Sequence, residues 1–487
     1  MDSSQLPDLN SLLVTARSPP RADLLGMDHA RCAALHNYLV HYAWVAEGQV
    51  PASLNGNSNT FFATHGAAAE ALRPRLDPSL AAFLDTALVP PADAPGPAPF
   101  FFWAQELSDP GGLFDNHTAG LFDEPVDSLV CLYFPNIGQG GETGGGLLYH
   151  QGYHLAAVFM HMDDYDYALP VETHAALWNP LETVLSNWIE LVHLGKITAS
   201  PRDVPAMFGG EKIGPWKWHS YSEAQVLACL SAWSRLCNAI EARIRLLSPP
   251  ASTPIIAVKP HSLLASAALD AASIPSSCFV RSFLTRALRP QFRYIAPGLL
   301  LPPADAQEFA AAQPFTRLPR ASCAIPPVCL FPTVRGEREV DLTGSANPFS
   351  NGLRAGSAEF PPPSRVPAGV YSEPVDRSAY DNAEEGFRLL LPYSLDGDVD
   401  DESVGARKSD GSFVRDGEVA ELFQHGYKPF GGDYYRPQRL ERLFDHWCKL
   451  VSDGVWPVGR QGVEGSINTF READTTRWRD YVIPPTW

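Results

Sequence analysis

The segment from Ser222 to Leu247 is the feature that most constrains how this chain folds. Ser222 and Gln225 have the spacing of a capping box at the start of a helix. In a capping box the side chain of each residue accepts a hydrogen bond from the backbone N–H of the other. Apolar residues then recur in alternating steps of four and three, which predicts a helix packed along a second helix. The prolines at 249 and 250 end it. The apolar positions are Val226, Leu230, Trp233, Cys237, Ile240, Ile244 and Leu247.

Three further segments carry helix-end signals of their own. One helix is predicted from Asp28, a candidate N-cap, to about Glu47. A second is predicted from Asn179 to Gly195, with a proline at its first position and Glu182 at the capping-box spacing. A last one is predicted from about residue 436 to residue 453. These segments place most of the regular structure in helices.

The segment from Leu147 to about Tyr165 is predicted to be a buried helix. Its apolar residues point in all directions around a helical axis, and a helix that is apolar on every side lies inside a protein. Gly152 weakens the prediction by about 1 kcal/mol, the cost of a glycine inside a helix.

The C-terminal part of the chain has a different character. From about residue 314 to residue 415 prolines, glycines and serines are frequent, which is typical of irregular coil. Glu384 to Leu391 is predicted to be a strand or a short helix. We therefore expect a mainly α protein: a helical domain over residues 1–315 that carries the site, and a coil-rich segment with a terminal helix over residues 316–487, packed on the same body, with a few short strands.

Composition narrows the classes of function. The chain has 487 residues and a formal net charge of −18, which disfavours binding to nucleic acid and to anionic membranes. No apolar run approaches the roughly 18 residues of a membrane-spanning helix. The first residues lack the basic and apolar regions of a signal peptide, so we expect a cytoplasmic protein. Its eight cysteines lack metal-binding spacing, and we expect free, buried thiols. The sequence leaves the oligomeric state open.

Histidines are the most informative residues for chemistry. On the predicted helix His150, His154 and His161 fall within about 40° of one another, at about 100° per residue, and Asp164 lies on the same face. His150 and His154 are about 6 Å apart along the axis, which suits one metal ion. The H-x-x-x-H spacing resembles the helices of haemocyanin- and tyrosinase-type proteins, although a second histidine triplet with that family's spacing is not evident.

A metal site needs ligands beyond this helix. His36, on the apolar stripe of the first helix, is a good candidate, and the predicted metal ligands are His150, His154, His36 and Asp163. Further possible ligands are His29, His174, His193 and Glu182. Imidazole with carboxylate favours zinc or iron. His161 or Asp164 is then the candidate general acid–base.

An acidic run offers an alternative. Asp163-Asp164-Tyr165-Asp166 resembles the Asp-rich motif of terpene cyclases, although the spacing is D-D-x-D rather than D-D-x-x-D. The resemblance implies a magnesium-dependent enzyme that processes an isoprenyl diphosphate. A cluster of basic side chains elsewhere in the sequence is suited to binding the diphosphate group of such a substrate. Its members are Arg281, Arg286, Arg289, Arg293 and Lys259.

Three hypotheses therefore stay open. The first is a metal-dependent enzyme, a lyase or an oxidoreductase, that acts on a small apolar or aromatic metabolite in a pocket between helices. The second is the magnesium-dependent, terpene-cyclase-like enzyme. The third is a non-catalytic helical binding or scaffold protein, whose histidines are hydrogen-bonded in the core. The expected partner is a small-molecule substrate, and neither nucleic acid nor a membrane is expected as a partner.

Overall fold

The structure is a computed structural model. It describes residues 6–54, 59–90, 100–114, 122–136, 145–160, 170–201, 212–247, 261–334, 339–343, 347–349, 363–378, 381–395, 403–415, 419–426, 430–432 and 436–487. The chain forms two compact units. Unit 1 comprises residues 1–219, 427–434 and 485–487, and unit 2 comprises residues 220–426 and 435–484.

The described residues of unit 1 contain four α-helices. Asp28 caps the first, its carboxylate accepting the Arg31 N–H at 3.2 Å, so the predicted start of this helix is confirmed. Asp77 caps the third in the same manner, through the Ser79 N–H at 2.8 Å. The helices are α1 (His29–Ala46), α2 (Phe61–Glu70), α3 (Pro78–Thr86) and α4 (Leu181–His193), with 3-10 turns at Pro51–Ser53, Arg73–Arg75 and Val171–Leu177.

The strands of unit 1 form two antiparallel sheets. The first has the order β1-β2-β3-β4 and the second β5-β7-β6. Two of the strand pairs, β3–β4 and β6–β7, are hairpins with short connections, as antiparallel pairing allows. The strands are β1 (Ala104–Leu107), β2 (Leu129–Pro135), β3 (Gly146–His150), β4 (Leu155–Phe159), β5 (Ile197–Ala199), β6 (Lys212–Ile213) and β7 (Trp216–Trp218).

The helix predicted from residue 147 is wrong. Residues 146–159 form the hairpin β3–β4, and both strands are buried along almost their whole length. A strand that is covered on both faces carries the same unbroken apolar run as a buried helix, so periodicity alone does not separate the two. Gly146, with a φ of +114°, approaches the Tyr133 carbonyl so closely that a Cβ would lie 2.2 Å from its oxygen. This contact between β2 and β3 requires glycine.

Unit 2 is organised around two long helices that pack on each other. The capping box at the start of the first is confirmed: the Gln225 N–H donates to Ser222 Oγ at 3.1 Å and the Ser222 N–H to Gln225 Oε1 at 2.9 Å. Trp233 and Ile240 are buried as predicted, whereas Leu247 is half exposed. The helices are α5 (Glu223–Leu247), α6 (Ser266–Ala271), α7 (Phe279–Arg286), α8 (Ala306–Ala311) and α9 (Leu440–Ser452), with 3-10 turns at Ile467–Asp474 and Trp478–Tyr481.

Short strands surround these helices. Four small sheets have the orders β17-β18-β8-β9, β11-β14-β16, β10-β15 and β12-β13, and β18 pairs with β8 in parallel. The segment predicted as strand or short helix near residue 387 is the strand β16. The strands are β8 (Tyr294–Ala296), β9 (Leu299–Leu300), β10 (Ala324–Ile325), β11 (Cys329–Pro332), β12 (Glu339–Asp341), β13 (Arg365–Pro367), β14 (Gly369–Ser372), β15 (Val375–Asp376), β16 (Phe387–Leu390), β17 (Val458–Gly459) and β18 (Gly462–Val463).

The fold class is mixed α/β, so the mainly α prediction is wrong. Of the described residues 34% are helical and 19% lie in strands, which form six small sheets. Many strands have only two to four residues, too few for a period-two pattern to be recognised in the sequence. The division at residues 315 and 316, which followed from composition, stays a prediction. Among the described helices, none has the length and apolar composition needed to cross a membrane.

Candidate functional site

His150 and His154 lie on a β-hairpin rather than on a helix face. His150 ends β3, and its Nδ1 accepts the backbone N–H groups of Gly152 and Tyr153 at 3.0 and 3.1 Å. Its Nε2 therefore carries the proton, which it donates to Glu124 Oε2 at 3.1 Å. Both ring nitrogens of His150 are thus bound by protein groups. His150 is also buried, with an exposed fraction of 5%, so these bonds replace its lost hydration.

His154 occupies the turn of this hairpin. Its backbone has a φ of +56°, a left-handed conformation that the tight connection between β3 and β4 requires. Its Nδ1 lies 3.1 Å from the hydroxyl of Tyr149. The turn and the two strands therefore give each histidine its own hydrogen-bond partners, and the predicted shared face of a helix does not exist.

The remaining predicted site residues on this segment lie outside the described residues. These are His161, Asp163 and Asp164, together with Asp166 and, from the basic cluster, Lys259. Among the residues that the structure describes, no three His, Cys, Asp or Glu side chains form a group suited to a metal ion. The roles predicted for His161, Asp163 and Asp164 stay predictions.

His36 is buried on α1, as its position on the apolar stripe predicts, and both of its nitrogens are bound. The Leu88 carbonyl, which accepts only, lies 2.9 Å from Nε2, so Nε2 carries the proton. Nδ1 then accepts the hydroxyl of Tyr133 at 2.7 Å. Burial lowers the pKa of His36 to about 4, and the bond to the Leu88 carbonyl raises it only in part. His36 is therefore a neutral imidazole at pH 7.

One face of α1 forms the floor of a groove. Five residues at helical spacing line it, and the buried His36 is one of them. The ring of Trp44 is part of this lining. Its indole N–H donates to the Val50 carbonyl and to Ser53 Oγ at 3.2 and 3.0 Å, which fixes the orientation of the ring. The five residues are His36, Val40, Ala43, Trp44 and Glu47. We call this surface the α1 groove.

The opposite wall of the α1 groove is also largely apolar. It consists of residues 88–90, the ring of Phe100, and Glu106 with Leu107 on β1. Phe100 stacks on the His36 imidazole with ring centroids 4.5 Å apart. The groove encloses a volume of about 20 Å³, comparable to the space that one buried water needs.

Two carboxylates lie in this otherwise apolar lining. Glu47 follows the last residue of α1, and Glu106 lies on β1. Loss of hydration raises the pKa of Glu106, and the neighbouring Asp109 carboxylate raises it further. A cation placed between these two carboxylates would be attracted by both. The α1 groove therefore combines apolar contact with negative charge.

Three of the four arginines of the predicted diphosphate site bind protein oxygens. Arg281 and Arg286 form ion pairs with Asp270 and Glu223, each at 2.8 Å. Arg289 donates to two backbone carbonyls at 3.0 and 2.8 Å. Each of these guanidinium groups therefore stabilises the packing of unit 2 with at least one of its N–H donors.

Glu182 was assigned to a capping box, and that prediction is wrong. The helix α4 begins at Leu181 without a side-chain cap, because the backbone of Asn179 pairs with Ala156 beside β4. The Glu182 carboxylate instead accepts the Cys32 thiol at 3.5 Å in the core, where burial raises the pKa of both groups.

Sequence reasoning also missed the hydrogen-bond partner of the His36 Nδ1. Tyr133 lies on β2, a strand that the sequence did not predict, and 97 positions separate the two residues. The apolar stripe of α1 indicated that His36 is buried and hence bonded, but it did not indicate to which group.

Comparison of the chain with family models, with curated proteins and with solved structures finds no match. The function is therefore inferred from the residues and their geometry.

Proposed function

We propose that this protein binds a small, largely apolar or aromatic molecule that carries a cationic group, and that it does so along the α1 groove. The observation that supports the proposal is an apolar lining interrupted by two carboxylates. The walls formed by Val40, Ala43, Trp44 and Phe100 remove apolar surface of a ligand from water, which favours binding by about 25 cal/mol per Å². Glu47 and Glu106 attract the cation.

The enclosed volume limits how such a molecule lies. The groove encloses the space of about one water-sized group, so the bulk of the ligand lies along its open side, against the ring of Trp44. Its cationic group then faces Glu47 and Glu106. The zinc, iron and magnesium hypotheses are not part of this proposal and stay predictions.

Calorimetry with two probes that share a phenylethyl group and carry opposite charges tests the proposal. We expect 2-phenylethylamine to bind and 3-phenylpropionate not to bind. The double variant Glu47→Gln with Glu106→Gln is expected to bind the amine about tenfold more weakly, which corresponds to a loss of about 1.4 kcal/mol. Glu172→Gln, a change at an exposed carboxylate of the same unit outside the groove, is the matched control and is expected to bind as the wild type does.

Three results contradict the proposal. The first is that neither probe binds to the wild-type protein. The second is that the acid binds as tightly as the amine, which shows that charge does not matter. The third is that Glu172→Gln weakens binding of the amine as much as the double variant does, which places the bound amine elsewhere.

A further inference from the structure

Besides the Tyr149–His154 pair of the hairpin, two hydrogen-bonded tyrosine–histidine pairs lie in the described part of unit 1. The hydroxyl of Tyr133 donates to Nδ1 of His36 at 2.7 Å, because the other nitrogen of this ring donates to a carbonyl. The hydroxyl of Tyr38 lies 3.0 Å from Nε2 of His193, whose pKa burial lowers, so this imidazole is neutral at pH 7 as well. Each phenol therefore has a neutral base within hydrogen-bond distance.

A continuous series of aromatic rings connects the two pairs. Tyr133 is fully buried, and Tyr42, near the other end, is partly exposed. Neighbouring rings are close enough for their π-systems to be in contact or nearly so. The centroid distances are 6.4 Å from Tyr133 to Trp188, 4.9 Å from Trp188 to Phe101, 5.2 Å from Phe101 to Trp216, 5.8 Å from Trp216 to Tyr42 and 6.2 Å from Tyr42 to Tyr38.

The chemistry of these side chains suits transfer of single electrons. Phenol and indole are among the side chains that lose an electron most readily, and transfer between rings in near contact is fast. A phenol that loses an electron becomes a strong acid, so oxidation of a buried tyrosine requires a base beside it. His36 Nδ1 is such a base, and its tautomer is set by the Leu88 carbonyl.

We propose that Tyr133 is a redox-active tyrosine, oxidised through the ring series, with His36 as the acceptor of its proton. A one-electron oxidant reacts at the Tyr38–Tyr42 end and takes one electron, which leaves Tyr133 by way of Trp188 and Trp216. The O–H bond of Tyr133 breaks as the N–H bond at His36 Nδ1 forms. The products are a neutral tyrosyl radical, an imidazolium ion and the reduced oxidant.

The reverse step needs only an electron. The transferred proton stays on Nδ1 of His36, next to the phenoxyl oxygen of Tyr133, while Nε2 keeps its hydrogen bond to the Leu88 carbonyl. The proton returns to Tyr133 when the radical is reduced. The pair therefore stores one oxidising equivalent inside unit 1. This inference does not require that the α1 groove binds a ligand.

Electron paramagnetic resonance after rapid freezing tests the proposal. The oxidant is trivalent ruthenium tris-bipyridine, generated by a light flash with persulfate. We expect a persistent tyrosyl signal in the wild-type protein and its loss in Tyr133→Phe. Tyr371→Phe is the matched control, because Tyr371 is equally buried but donates to the Pro367 carbonyl at 2.8 Å, which is not a base. The signal is expected to be unchanged in this variant.

Two further variants test the proton acceptor and the path of electron transfer independently. His36→Gln keeps an acceptor for the Tyr133 hydroxyl but cannot take its proton, and we expect the persistent signal to be lost. Trp188→Phe keeps a ring that stacks on Phe101 but is hard to oxidise, and we expect a lower yield of the same radical. Circular dichroism verifies that each variant is folded.

Three outcomes would overturn the proposal. One is a persistent tyrosyl signal that survives in Tyr133→Phe. Another is the absence of any persistent tyrosyl signal in the wild-type protein. The third is an undiminished signal in folded His36→Gln, which shows that the imidazole is not the proton acceptor.

Discussion

The ionisation state of His36 follows from its two neighbours. Leu88 offers a carbonyl that accepts only, and Tyr133 offers a hydroxyl that donates into the remaining lone pair. Protonation of Nδ1 would place a charge in an apolar region and would break the bond that the Tyr133 hydroxyl donates. This is why the pKa of His36 falls to about 4.

A dependence of stability on pH follows from this shift. The pKa of His36 is 6.5 in the unfolded chain and about 4 in the folded protein, so the unfolded chain binds the proton more tightly. The contribution of His36 to stability is complete above pH 6.5 and is lost as the pH falls towards 4. The loss is on the order of 3 kcal/mol, since one pKa unit corresponds to about 1.4 kcal/mol.

Denaturation in urea at several pH values measures this effect. His36→Gln has no titrating group but keeps a donor and an acceptor, so the fall in the free energy of unfolding between pH 6.5 and 4 is expected to be smaller in this variant. Other titrating groups act equally on both proteins and cancel in the comparison. Parallel pH profiles for wild type and variant would contradict the assigned state of His36.

Among the elements, helices with local end signals were predicted best. The starts of α1 and α5 depend on hydrogen bonds between residues three positions apart, at Asp28 and at Ser222 with Gln225. Such bonds form within one segment and do not need the rest of the fold. The start of α4 differs, because a bridge from Asn179 to Ala156 competes with the local cap.

The capping box of α5 allows a quantitative prediction. Ser222→Ala removes the oxygen that accepts the Gln225 N–H, and we expect the free energy of unfolding to fall by about 1 kcal/mol. Ser234→Ala is the control, because Ser234 lies exposed inside the same helix and bonds only to the preceding turn. Alanine has the higher helix propensity there, so the change is expected to be neutral or slightly stabilising. Chemical denaturation compares the two, and equal losses would show that the box contributes nothing.

At the scale of the whole molecule, several buried charges of unit 2 are paired with one another. In unit 2 the Arg388 guanidinium donates to Glu373 and Glu421 at 2.8 and 2.7 Å, and Arg436 is paired with Asp381. Partners of this kind are needed because an isolated charge inside a protein is costly. None of these pairs was predicted, since their members come from separate parts of the chain.

The eight cysteines provide a prediction for the whole chain. All are free thiols, and six are buried, while Cys323 and Cys448 are partly exposed. We expect a thiol reagent such as dithionitrobenzoate to modify at most these two rapidly in the native protein and all eight after denaturation without reductant. Double alanine replacement at 323 and 448 is expected to abolish the rapid phase. Fewer than eight reactive thiols in the denatured chain would contradict the assignment.

The sequence by itself determined the helices that begin with local caps, the burial of His36 and the acidic balance of the chain. The tertiary structure alone determined that residues 146–159 form strands, and that His36, His150 and His154 bind Tyr133, Glu124 and Tyr149. The physical reason is the separation along the chain of the residues that interact. A cap or an apolar stripe involves neighbours within one or two turns, whereas strand pairing and the partner of a buried imidazole depend on residues that only the folded chain brings together.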